Sequence, residues 1–129
     1  MSPLVAPPTL GDLLKFELNA SYSRETVVLK AGTSYPLGAV LGKVTVSGKY
    51  RLSPAAEVVG DEGAEVASAV LLRAVDATGA DAIGLVAARG PVIVSEAAIV
   101  FDTSVDDATK AAVKRAELAA AGIVSRTTA

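Results

Sequence analysis

The chain contains no histidine, no cysteine and no tryptophan in 129 residues. Without histidine it lacks the usual general base, the commonest metal ligand and the side chain that switches charge near neutral pH. Without cysteine it has no thiolate nucleophile, no disulfide framework and no zinc-finger ligand set. Aromatic residues are scarce at 4%, so the 51% apolar content is mostly Ala, Val and Leu. No apolar run is long enough to cross a bilayer: the longest uncharged segment, Ala31 to Gly42, is broken by three glycines and a proline. Positive charge is also short, with 12 basic against 14 acidic residues. That is the wrong balance for a protein that binds by neutralising phosphates, so neither nucleic acid nor a membrane is expected as a partner.

What is present is one domain's length of apolar and small residues, with more apolar surface than its own core needs, which points to self-association. The N-terminal MSPLVAPPTLGD has no basic n-region and is interrupted by Pro3, Pro7 and Pro8, so it reads as a retained, extended arm over residues 1–12. The remainder, 13–129, reads as a single domain. Leu14, Phe16 and Leu18 alternate with charged residues as in a strand with one wet face. NASYSRE reads as a loop, Thr26 to Lys30 as a strand, and AGTSYPLG as a turn. Val40 to Val46 and Lys49 to Leu52 form one expected hairpin about Ser47-Gly48, and Ala69 to Val75 with Ala82 to Ala88 a second. A short strand follows at Val92 to Val94. A helix over about 105–121 is expected, with Ser104 as N-cap, Asp107 in its first turn and Gly122 at its end. Its spacing puts Val113, Ala116 and Ala120 on one side and Lys110, Lys114 and Glu117 on another.

Several stretches imitate chemical motifs. LGAVLGKVT, from Leu37 to Thr45, approaches a phosphate-binding loop, but three residues rather than four separate Gly38 from Gly42. Val44 stands where the magnesium-binding hydroxyl belongs, and a β-branched run replaces the helix whose N-terminus would hold the anion. The glycines are better read as places of bending or close approach, with Lys43 on the wet side. The carboxylate groups Asp61/Glu62/Glu65, Asp76/Asp81 and Asp106/Asp107 have the simpler roles of polar loop, turn bracket and helix start. As calcium ligands they lack alternating oxygens and a closing glutamate. Serine has no adjacent base, no Ser-x-x-Lys spacing occurs, and no nucleophile elbow is present. No catalytic, cofactor-binding or metal residue is therefore assigned. A lipoyl-like carrier or binding module, which would use Lys43 or Lys49 on a hairpin tip, is the alternative from a different class.

In order and spacing, KFELNASYSRETVVLKAG, YPLGAVLGKVTVSGKY, DATGADAIGLV, ARGPVIVSEAAIVF and the alanine-rich helix ending in GIV resemble the lambda-type head decoration proteins of tailed phages. The resemblance spans roughly Leu14 to Val124. It implies a mainly β domain of the β-clip kind with a C-terminal helix, an α+β fold, and a structural role without cofactors. It further implies a homotrimer on the outer surface of the expanded head, at three-fold and quasi-three-fold sites, bound to the phage major capsid protein and stabilising the shell against DNA pressure. Host cytoplasm is the expected location during assembly. In that family the arm is mobile in the free trimer and orders on the shell. By position and composition, Leu4, Val5, Pro7, Pro8, Thr9 and Leu10 are the expected capsid-binding residues, with Thr9 to Leu13 offering backbone for strand addition.

Overall fold

The computed structural model describes residues 10–127, apart from the side chains at positions 11 and 12. Mainly β structure with one long C-terminal helix results, as expected. The described strands are β1 (Leu14–Glu17), β2 (Arg24–Leu29), β3 (Thr33–Tyr35), β4 (Val40–Lys43), β5 (Tyr50–Leu52), β6 (Ala69–Leu71), β7 (Val75–Ala77), β8 (Ala82–Ala87), β9 (Val92–Ser95) and β10 (Ile123–Arg126). Two short helical turns, α1 (Leu10–Leu13) and α2 (Ala20–Ser23), flank β1, and α3 spans Ala108–Ala120.

A closed barrel runs β2-β5-β4-β6-β8, beside a three-stranded sheet β1-β9-β10 and the pair β3-β7. The short barrel strands work by serving two cores at once. Alternate side chains of a strand point to opposite faces. In β4, Leu41 joins the cluster of Val27, Leu29, Leu71 and Val86, while Val40 joins the second cluster of Val92, Val94, Leu118 and Ile123. In β6, Ala69 and Leu71 face the first and Val70 the second. Strands buried on both faces carry continuous apolar runs, which is why AVL and VLG look so uniformly hydrophobic in sequence. Each fully buried Leu or Val contributes about 1.5–3 kcal/mol, so the second cluster is what fastens sheet and helix to the barrel.

The expected β4-β5 hairpin forms, with Leu41 opposite Leu52 and Lys43 opposite Tyr50. Likewise β6 pairs antiparallel with β8. Three local readings are corrected. NASYSRE is not all loop: Asn19 caps α2, its side chain accepting from Ser21 N at 3.0 Å, and Arg24 and Glu25 already belong to β2. The AGTSYPLG turn contains β3, which pairs with β7, a strand that starts at the last residue of the Ala69 to Val75 run and continues into the expected turn. The terminal GIV enters β10, parallel to β9, rather than simply ending the helix.

The helix is also corrected in two respects. Its N-cap is Asp107, which accepts from Lys110 N at 2.8 Å, whereas Ser104 hydrogen-bonds Asp102 and accepts from Ala55 N. Its apolar stripe is inverted: Val113, Ala116 and Ala120 face outward, while Lys114 and Leu118 are buried. The cause is tertiary, since polar partners for Lys114 wait on the inner side.

Candidate interaction surface

Five of the six expected capsid-binding residues, Leu4, Val5, Pro7, Pro8 and Thr9, lie outside the described residues. Leu10 is described. It begins α1, is half-buried and packs against the core cluster that contains Leu13, Val92 and Val94. Residues 10–13 are therefore helical in this state, and strand addition by them would require α1 to unwind.

After α1 the chain enters β1, which pairs antiparallel with β9 through a register shift between Leu14 and Phe16. This irregularity defeats the alternation seen in sequence. Leu14 packs against the core, but Phe16 and Leu18 are exposed at 46% and 67%. Phe16 stands opposite Ile93, and Ile93 opposite Val124 on β10, so the three share the outer face of the sheet. Val92, Val94 and Ile123 line the buried face. Beyond β1, Leu18 N donates to Pro91 O at 3.3 Å, and Leu18, Tyr22 and Pro91 border an apolar groove of about 260 Å³. Arg89 sits over the Tyr22 ring, 5.4 Å from its centroid, and pairs with Glu25 at 2.8 Å. The alternation in sequence puts Phe16 and Leu18 on the face of the strand opposite the wet one. The parity of Phe16 and Ile93 was the available signal, but it needed the register, which depends on β9.

Charged clusters elsewhere are structural. Asp61 is buried and accepts from Lys30 at 2.5 Å and Arg51 at 2.7 Å, and these cations hold its carboxyl below the usual range against the opposing effect of burial. It is thus an internal clamp rather than a solvated loop residue. Glu17 is lowered first by hydrogen bonding to Arg24, whose guanidinium is raised in return. Asp76 accepts from the Thr78 hydroxyl and N–H, and Asp81 from Lys49 and Ala31 N, so each is lowered. Asp106 pairs with Lys110 across one helical turn. No group of three or more His, Cys, Asp or Glu able to hold a metal occurs among the described residues. Nor is any helix there long and apolar enough to cross a membrane.

The phosphate-loop imitation resolves into architecture. Gly38 has φ of 87° and adjoins the Ala98 carbonyl, and a Cβ on Gly42 would run into the Ala64 carbonyl oxygen. Lys43, the last residue of β4, is exposed, and Lys49 is ion-paired to Asp81 at 2.6 Å.

A family model described as bacteriophage lambda head decoration protein D matches residues 3–123. The chain belongs to this family. The match runs through the barrel, β1, β9 and α3, stops at the first residue of β10, and includes most of the N-terminal segment. As a head decoration protein it is a structural component of a bacteriophage capsid, a class that is not enzymatic. Decoration implies binding to the capsid. Membership also favours decoration over the carrier reading of Lys43 and Lys49. Among curated proteins no match was found.

Proposed function

We propose that this decoration protein is a cement: a homotrimer on the outer surface of the expanded head, at three-fold and quasi-three-fold positions, bridging neighbouring major capsid subunits. There it stabilises the shell against the pressure of packaged DNA, after assembly in the host cytoplasm. The observation that carries this reading is the family match over residues 3–123. A cement requires surface area rather than chemistry, in keeping with a chain that has neither histidine nor cysteine.

The N-terminal segment is the capsid-binding arm, with Leu4, Val5, Pro7, Pro8, Thr9 and Leu10 as its contact residues. Prolines bias it toward extended conformations and so reduce the entropy lost on docking. Three arms on one trimer make binding multivalent, and weak docking of each becomes tight collectively. Because Leu10 also packs against the core, the informative truncation stops at Thr9. Protein lacking residues 1–9 is expected to remain a folded trimer that no longer co-sediments with empty expanded shells. Co-sedimentation equal to that of the full chain would remove the arm as the anchor.

A further inference from the structure

We propose that the outer face of the β1-β9-β10 sheet, with the groove at its end, is the surface through which one copy of this chain packs against the next. Phe16, Ile93 and Val124 lie side by side across the three strands. Leu18, Tyr22 and Pro91 continue the same apolar strip where β1 ends. Exposures of 46% at Phe16, 67% at Leu18 and 59% at Tyr22 are high for large apolar side chains so close together.

Area and charge both select a second copy as the occupant. Summed over these side chains, the uncovered apolar area is on the order of 400 Å², about the apolar share of one side of a standard interface of roughly 800 Å² per partner. The strip's own residues are uncharged, and Arg89, which sits over the Tyr22 ring, is paired with Glu25. It therefore suits an identical chain of net charge −2 by keeping like charges out of the centre of the contact. Tyr22 and the Arg89 over its ring are also of the residue types enriched among the anchors of protein interfaces.

This inference rests on the homotrimer proposed above, and the test separates the two. Molar mass by light scattering is measured for the full chain and for Leu18→Glu, Phe16→Asp and Leu18→Met, with circular dichroism and thermal melting as controls for folding. The full chain and Leu18→Met are expected to be trimers. Leu18→Glu and Phe16→Asp are expected to be folded monomers, or trimers dissociating at protein concentrations at least tenfold higher. Folded charged variants that stay trimeric down to the same concentration as the full chain overturn the assignment of this face and leave the trimer standing. A monomeric full chain overturns both. Should a charged variant fail to fold, hydrogen exchange on the unaltered chain decides: amides of residues 16–22 must exchange more slowly in the oligomer than after dilution to monomer, and equal exchange rejects the face.

Discussion

The Lys114 ammonium donates to the Ser53 hydroxyl at 2.9 Å across 61 residues of sequence. Ser53 in turn donates to the Ala64 carbonyl at 2.7 Å, Lys114 also donates to the Glu65 carbonyl, and Glu117 lies 3.4 Å from the same ammonium while accepting from Ala67 N at 2.9 Å. A lysine that is 1% exposed thus fastens α3 to the segment between β5 and β6. A buried charge persists only when paired and hydrogen-bonded, and this one is both.

Lys114→Ala is expected to destabilise the fold by about 3–5 kcal/mol, since it takes a donor from the Glu65 carbonyl and the Ser53 hydroxyl, removes the cation beside Glu117 and opens a cavity. Lys114→Met keeps the volume and should cost less, and Lys114→Met with Glu117→Gln less again. Urea denaturation of the three variants measures this order. Equal midpoints for Lys114→Ala and the unaltered chain would show that the network contributes nothing.

Outward-facing Val113 gives the converse expectation. Val113→Lys places a charge on the side of α3 that carries the apolar residues in sequence, yet the residue is half exposed. Thermal melting should register a change within about 0.5 kcal/mol. A loss of several kcal/mol would mean that the helix faces the other way.

Gly42→Ala tests the close approach of β4 to the segment at Ala64. Its Cβ meets backbone, which cannot step aside as a flexible side chain would. A loss of at least about 1–3 kcal/mol is expected. Gly79→Ala, where the added methyl meets open space, is the matched comparison and should be nearly neutral.

Acid stability should report Asp61. Lys30 and Arg51 lower its folded pKa below the unfolded value of about 3.9, so its contribution is complete above that pH and is lost as pH falls through the folded value. Asp61→Asn is expected to lose about 2–3 kcal/mol at neutral pH, below the full cost of breaking a buried pair because Lys30 is itself 45% exposed. The gap between Asp61→Asn and the unaltered chain should then narrow below pH 4. A gap that stays constant down to pH 2 in urea midpoints would exclude Asp61 as the titrating group.

Sequence alone determined the mainly β class, the two antiparallel pairings β4-β5 and β6-β8, the presence of a C-terminal helix and the failure of every catalytic motif. These are local properties: strand period, turn glycines, helix formers, and residue types that are simply missing. Family-like order along the chain carried the functional class as well. Tertiary structure decided the rest. Ala and the aliphatic stem of Lys are nearly indifferent to burial, so the stripe of α3 could not choose its side until Ser53 and the Glu65 carbonyl were brought beneath Lys114. Phe16 and Leu18 follow a perfect strand alternation, but the irregular pairing of β1 with β9 breaks their period and turns them outward. In both places the sequence was ambiguous because the deciding contacts join residues tens of positions apart, and only the folded chain brings them together.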